Sequence, residues 1–326
     1  MHVSSQTIPV VDLRRFLDGD ADDQRGFVDA LGHALVEYGF VAVDRHGIQR
    51  PTLEAAYGAV KALFALPTEV KRRYEDEAVG RQRGYTSFGL EKAKDVGVPD
   101  LKEFWHIGPE LDDTHPQFEK LPKNLWPAEL PELRDAALGL WTGLGKVAVT
   151  LLRAIARYLD ADEHELVRMI DGGNTVLRVI HYPPPDPEDA AKGAVWSAAH
   201  EDINLITLLP EATEPGLELL TRDGKWLPIA PIPGQLIADT GDIMLRLTNG
   251  FMPATTHRVV ASKEVTRERY SMPYFVHPTP DYLLRPLSSC VTPANPRRYP
   301  DITAQELLFE RLRENGVAKT VPHAGA

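Results

Sequence analysis

The chain has 326 residues, of which 43% are hydrophobic and 25% charged, and carries a formal net charge of −11 at pH 7. That length supplies a sizeable core for one large domain or two small ones, and the negative excess argues against a nucleic-acid partner or an anionic membrane surface. A single cysteine, Cys290, excludes an internal disulfide and a thiolate-clustered metal site, so any metal must be held by nitrogen and oxygen.

From the N-terminus, MHVSSQTIPVVDL has no signal-peptide profile, and no apolar run approaches the roughly 20 residues that span a bilayer. The expected address is the cytoplasm. Ile8 to Leu13 reads as a short strand. Asp22 to Tyr38 reads as a helix with Phe27, Leu31, Leu35 and Tyr38 on one stripe. Phe40 to Asp44 predicts a second strand, Pro51 to Leu66 a helix with proline in its first turn, and Thr68 to Glu75 a short charged helix. Residues 78–131 show no sustained period among their prolines, and such irregular stretches are commonly lids or substrate walls, with a plain surface excursion the equal alternative. Pro131 to Leu159 predicts the longest helix, with Leu133, Ala137, Leu140, Leu144, Val147, Leu151 and Ile155 at steps of three or four. Gly143, Gly145 and Ala148 fit a loose dinucleotide fingerprint, but in mid-helix that pattern has no phosphate-binding turn. Asp162 with Glu165 suggests a capping box for a further short helix.

After Gly172-Gly173 the period becomes alternating. Val176–Tyr182, Asp202–Leu209, Leu217–Thr221, Trp226–Ile229, Gln235–Asp239, Ile243–Leu247, Thr255–Ala261 and Arg269–His277 read as short strands separated by turn signals. Even spacing of this kind predicts a sandwich or jelly roll. Asp301 to Asn315 closes the chain with a helix and a loose tail.

Within this region His200 and Asp202 are two residues apart at the mouth of an apolar run, so in extended chain they share a face. With 11 histidines in the chain, a histidine followed two positions on by aspartate arises about as often as not by accident. A strand-end histidine capped by a carboxylate is the plain alternative. His257 supplies a possible third ligand, and two histidines with one carboxylate leave open positions on a divalent metal. Arg269 and Ser271 share a face of the last strand, and a guanidinium fork beside a hydroxyl suits a carboxylate. If that strand folds back toward His257, a small dicarboxylate can chelate the metal at one end and pair with Arg269 at the other.

At this point the chain resembles the isopenicillin N synthase-like 2-oxoglutarate/Fe(II) dioxygenases. The likeness runs through IPVVDL, YGFVAV, LPTEVK, LRVIHYPPP, the HED triplet, GQLIADTGDIMLRLTNG, THRVV and RYSMPYFVHP. It implies an α+β, mainly β fold, with a double-stranded β-helix (jelly-roll) core wrapped by N-terminal helices and a C-terminal helix. It implies Fe(II) on His200, Asp202 and His257, Arg269 and Ser271 on the distal carboxylate of 2-oxoglutarate, and Tyr182 as a further contact to co-substrate or substrate. Three protein ligands then leave two positions for 2-oxoglutarate and one for O2. Ile180 stands where the family commonly has asparagine, and Glu201 where it has a small residue.

The units expected are an N-terminal region 1–130, supporting helices 131–172, an oxygenase core 173–285 and a C-terminal helix and tail 286–326, together one structural unit. The activity implied is oxidative decarboxylation of 2-oxoglutarate to succinate coupled to oxidation, most simply hydroxylation, of a small molecule, with a monomer favoured. An iron oxidase closing a ring or releasing ethylene keeps the same ligands, and a non-catalytic metal-binding β-sandwich is the alternative outside enzymes. His106, His181 and His277 are placed either at the substrate or in packing. Trp196 and Phe275 read as core before substrate platform, Asn249-Gly250 as a turn, Asp239, Gly241 and Asp242 as loop and turn residues, and Cys290 as unreactive.

Overall fold

The computed structural model describes residues 7–91, 100–184, 186, 195–230, 232–261 and 267–314. In chain order the elements are β1 (Val10–Asp12), α1 (Leu13–Leu17), α2 (Ala21–Tyr38), β2 (Phe40–Asp44), α3 (Arg50–Ala65), α4 (Thr68–Lys71), β3 (Gly84–Thr86) and β4 (Glu103–Ile107). There follow α5 (Glu132–Tyr158), α6 (Glu165–Arg168), β5 (Val176–Tyr182), β6 (Ser197–His200), β7 (Ile206–Pro210), β8 (Leu217–Leu220), β9 (Trp226–Pro228) and β10 (Leu236–Thr240). The chain closes with α7 (Asp242–Leu247), β11 (His257–Val259), β12 (Arg269–Ser271), β13 (Tyr274–Val276) and α8 (Ala304–Glu314). A two-stranded ribbon, Leu283–Leu284 with Ile302–Thr303, precedes α8.

Apart from that ribbon, the described strands form two sheets, as a jelly roll requires. The larger runs β1-β2-β10-β7-β13-β5-β4-β3, with β12 also on β5, and the smaller runs β6-β11-β8-β9. Because side chains alternate, each strand of the large sheet offers one row to each face. On β5, Leu177 and Val179 join the apolar mass under the helices, while Ile180 and Tyr182 join a second cluster with Phe104, Leu219 and Val259 between the sheets. The helix-covered face takes its ceiling from α5, whose Leu140, Leu144, Val147 and Leu151 are buried at helical spacing.

Local chemistry explains the helix limits. The carboxylate of Asp20 accepts from the amides of Asp22 and Asp23 at 2.9 Å, capping α2. Gly39 ends it at φ 68°, where a β-carbon would lie 2.1 Å from the Thr255 hydroxyl. α5 is long and apolar enough to cross a membrane by length and composition, although Lys146 and Arg153 interrupt its apolar run. Here it is the core helix, packed on α2, α3 and the large sheet.

Several expectations are corrected. Residues 78–131 carry β3 and β4, both members of the large sheet. Their charged residues conceal the alternation, since Glu103 is buried against Lys71 and Tyr85. Ile8 to Leu13 narrows to β1, because Leu13 already starts α1 under an Asp12 cap. The strand expected over 202–209 is two features: β6 ends at His200, a loop follows, and β7 begins at Ile206. Ile243–Leu247 belongs to α7, not a strand, and the first amides of α7 are spent on that loop, with Asp242 N on Asp202 O at 2.8 Å and Ile243 N on Asn204 O at 3.1 Å. The last predicted strand splits at Met272-Pro273, since proline has no amide for the ladder. Asp162 accepts from the His164 amide at 2.9 Å, but the N-cap of α6 is His164 and no Asp162–Glu165 box forms. Asn249, expected only to turn the chain, is fully buried and donates to the carbonyls of Asn295 and Pro296. The tail after Glu314 lies outside the described residues.

Candidate metal and co-substrate site

The small sheet sets the first two groups. His257 on β11 is the register partner of His200 on β6, and their rings lie 4.4 Å apart between centroids. Asp202 follows in the loop, with its Oδ1 3.7 Å from Nε2 of His200 and 3.8 Å from Nε2 of His257. The three donor atoms all lie within 4.8 Å of one another, a set that can hold a metal ion. Each imidazole is held from behind: Nδ1 of His200 donates to Ala198 O at 2.8 Å, and Nδ1 of His257 to Thr255 O at 3.1 Å. With Nδ1 carrying the proton, both Nε2 lone pairs face the Asp202 carboxylate. Burial, then the facing His257, push His200 down to about 4 despite the nearby Asp202 charge. The ring is therefore neutral at pH 7, the form a metal requires.

Asp202 is fixed on its other side. Its Oδ2 accepts from the Thr207 hydroxyl, and that oxygen in turn accepts from the Asn204 amide at 2.8 Å. Its backbone carbonyl takes the Asp242 amide described above. Gly241 gives the loop room, since a β-carbon there would sit 2.5 Å from the Asn204 carbonyl oxygen and 2.7 Å from that of Asp202. Asp239 is not a loop residue: it lies on β10, opposite Phe40 and Thr207. Burial, then the Asp202 charge, hold its carboxyl well above the usual range. Glu201 is exposed and accepts from the Thr256 hydroxyl at 3.1 Å, turned away from the cluster as its alternating position requires.

The large sheet contributes the second part. Arg269 on β12 pairs with Tyr182 on β5, and Ser271 with Ile180. Arg269 and Ser271 are each 2% exposed. The Arg269 guanidinium sits 4.9 Å from the Tyr182 ring centroid, and its Nε donates to Glu214 O at 3.1 Å. Its Nη1 is buried with no hydrogen-bond partner among the described residues. An unpaired guanidinium nitrogen in an apolar setting costs about 1–3 kcal/mol, a deficit that a bound carboxylate removes. Leu209, Leu217, Ile229 and Ile237 line a narrow apolar cleft that reaches this arginine.

Sequence reading missed a buried polar row beside His200. Lys102 Nζ contacts Glu91 at 2.7 Å, Asp100 at 2.8 Å and the Ser197 hydroxyl at 3.0 Å. Asp100 also accepts from the Ala198 amide at 3.0 Å, tying the row to β6. Despite burial, Arg178 and Lys102 hold the Glu91 carboxyl well below its ordinary range. Alternation through Lys102, Phe104 and His106 was the available signal, but the preceding segment gave no period to anchor it. Of the undecided histidines, His106 lies on the inner face, accepting from Arg178 Nε at 2.7 Å. His181 faces the helices, donating to Glu103 at 2.8 Å. His277 is half-buried, and burial pushes it down to about 4 while Asp202 opposes. Trp196 is fully buried and donates to Pro183 O at 2.9 Å. Cys290 is buried, and burial raises its thiol.

Comparison with known proteins places the chain among related sequences and folds. Residues 8–129 match the family described as non-haem dioxygenase in morphine synthesis, N-terminal, and residues 173–278 match the 2OG-Fe(II) oxygenase superfamily. A 2-oxoglutarate-dependent dioxygenase of Monascus ruber is 31% identical over 296 residues, covering 87% of this chain and 88% of its own. A solved 2OG-Fe(II) oxygenase family protein from Caulobacter crescentus is 42% identical with a TM-score of 0.84, over 95% of this chain and 99% of that one. Neurospora crassa T7H, in complex with alpha-KG and thymine, is 26% identical with a TM-score of 0.84, over 96% and 98% of the two chains.

Proposed function

The chain belongs to the 2-oxoglutarate/Fe(II) oxygenase superfamily, and on that premise we propose that His200, Asp202 and His257 hold its ferrous ion and that Arg269, Ser271 and Tyr182 hold its co-substrate. The protein is a 2-oxoglutarate-dependent dioxygenase that uses Fe(II), 2-oxoglutarate and O2. When bound, the ion supplies the activation of O2 that couples loss of CO2 from 2-oxoglutarate to oxidation of a C–H bond.

The residues do the rest. His200 presents a neutral Nε2 because burial holds its ring well below its ordinary value, and in both His200 and His257 the bond from Nδ1 to a backbone carbonyl aims Nε2 at Asp202. Asp202 presents one oxygen because Thr207 occupies the other. Arg269 receives the distal carboxylate with a nitrogen that otherwise lacks a partner, and the Tyr182 ring holds the fork in its plane. The apolar cluster between the sheets excludes water from the space between Arg269 and the histidines. Carrying this reading is the convergence of three donor atoms at one point, facing the same inter-sheet space as the orphaned guanidinium.

The reaction proposed is hydroxylation of a small molecule in a cytoplasmic, monomeric enzyme. The described residues within 1–130 and 131–172 wall and support those within the core 173–285, and those within 286–326 close it. The thymine bound by the Neurospora relative makes small planar rings the first compounds to screen. The test is succinate formation under Fe(II), 2-oxoglutarate and O2 with mass analysis of the co-product. Gain of one oxygen atom supports hydroxylation, while loss of two hydrogens or release of ethylene replaces it.

A further inference from the structure

The inner face of β5 carries a second guanidinium beyond the one assigned above. Arg178, Ile180 and Tyr182 share that face, and Arg178 is four residues, about 13 Å of strand, from the Tyr182 position that faces Arg269. The two cations therefore stand at opposite ends of one row. The Arg178 end is the one beside the proposed metal. Thr207, which holds Asp202, is the register partner of Phe275, and the Phe275 ring lies 5.3 Å from the Arg178 guanidinium.

This guanidinium is held as a rigid plate. The Phe104 ring centroid is 4.3 Å from it, so the plate has an aromatic neighbour in Phe104 as well as in Phe275. His106 accepts from its Nε at 2.7 Å, and the other nitrogen of that ring meets the Arg81 carbonyl at 3.0 Å. Burial and the adjacent Arg178 hold His106 well below its usual range, so it stays a neutral acceptor. Among the described residues Glu91 is the carboxylate at the outer edge; it contacts Nη1 with both oxygens at 3.3 Å, long for a charge-assisted pair, while its 2.7 Å contact goes to Lys102. The Arg178 side chain is 20% exposed, unlike the buried Arg269. A guanidinium locked by rings and an imidazole, with Nη1 paired to Glu91 at 3.3 Å at a partly open edge, is arranged to receive a planar pair of acceptors.

We infer that Arg178 is the specificity-determining residue for the primary substrate, which presents to it a planar acceptor group: a carboxylate or a ring amide. The inference rests on the proposed metal assignment, because only that assignment makes this end of the row the reacting end. Phe275 gives the substrate ring an apolar face, and the fork sets which edge of the ring turns away from the metal.

The test uses the full chain with Fe(II), 2-oxoglutarate and O2. Thymine, benzoate and phenylacetate carry the acceptor; toluene and benzyl alcohol match them in size without it. Succinate release above the probe-free rate is measured for each, together with ferrous-ion and 2-oxoglutarate affinity under anaerobic conditions. The expected result is stimulation confined to acceptor-bearing probes, thymine alone marking the ring amide and the acids the carboxylate. Arg178→Met and Arg178→Lys should each raise the KM of the stimulating probe at least about 10-fold, with 2-oxoglutarate affinity within about twofold. Lysine fails with methionine because it keeps the charge and loses the fork. If Arg178→Met does not fold, Arg178→Lys decides alone. Stimulation only by acceptor-free probes, stimulation by none, or an unchanged KM in Arg178→Lys overturns the inference. Absence of ferrous binding in the wild type is a separate failure, that of the metal assignment.

Discussion

The two faces of the large sheet use the same strands for opposite ends. Toward the helices, Leu177, Val179, Trp105 and Leu208 are buried under α3 and α5, and their job is cohesion. Toward the small sheet, the alternate residues of the same strands include Arg178, Arg269, Ser271, Thr207 and Asp239, all polar and all largely withdrawn from water. Burying such groups opposes folding unless each finds a partner. On the inner face some partners are missing, as at Arg269 Nη1. Apolar burial is concentrated on one row and polar burial on the next, one residue along, although Trp105 Nε1 and His181 Nε2 on the helix-facing row also lack partners among the described residues.

That division can be broken from either side. The largest effect is expected from Asp202→Ala, which removes the only carboxylate among the three donor atoms: 2-oxoglutarate turnover should fall to background while the thermal midpoint stays near wild type. A drop in midpoint matching the loss of turnover would show that the two rows are not separable. Leu144→Ala on α5, at a fully buried position, should cost about 2–5 kcal/mol of stability. Denaturant unfolding gives that number, and 2-oxoglutarate KM in the folded fraction should be unchanged. Arg269→Met should raise the KM for 2-oxoglutarate about 30-fold, the equivalent of roughly 2 kcal/mol for a lost charge-assisted pair, and should leave or improve stability because the orphaned nitrogen is gone. A destabilised Arg269→Met protein would mean the arginine belongs to the structural row after all.

The smallest effect is in pH. Folded His200 and His277 titrate near 4, below the ordinary value of 6.5. Between those values the unfolded chain binds more protons than the folded one, so stability rises with pH through that window and is lost as pH falls from 6.5 toward 4. Midpoints measured across that range check the sign. For the metal, the competing proton at His200 arrives near pH 4 rather than near 6.5. Mild acid should therefore weaken ferrous binding at that ligand less than an ordinary histidine would suggest.

The strands and helices with one apolar face were legible in the sequence, and so was the gathering of His200, Asp202 and His257. Of these three, period-two spacing pointed only to His200 and Asp202, and His257 joined them through the family resemblance; the structure brings the three together by pairing His257 with His200 and by the loop that carries Asp202. Arg269 and Ser271 could be read by the same spacing. Lys102, Arg178 and Glu91 could not, because their burial depends on partners distant in the chain. A lysine is ordinarily solvated, and nothing local says that Asp100, Glu91 and Ser197 will surround it. The helix at Asp242–Leu247 escaped for a related reason. Its apolar run is too short to separate helix from strand by period, and the deciding contacts are its first amides on the loop after His200. Ile180 and Glu201, the two departures from the family pattern, take opposite places: Ile180 packs with Phe104 and Tyr182 between the sheets, and Glu201 faces solvent.

The most direct measurement is anaerobic titration of ferrous ion into the wild type and into His200→Ala, Asp202→Ala and His257→Ala, each checked for native circular dichroism. One ion should bind per wild-type chain, with affinity lost in all three variants. A correctly folded variant that binds ferrous ion as the wild type does would contradict the shared site.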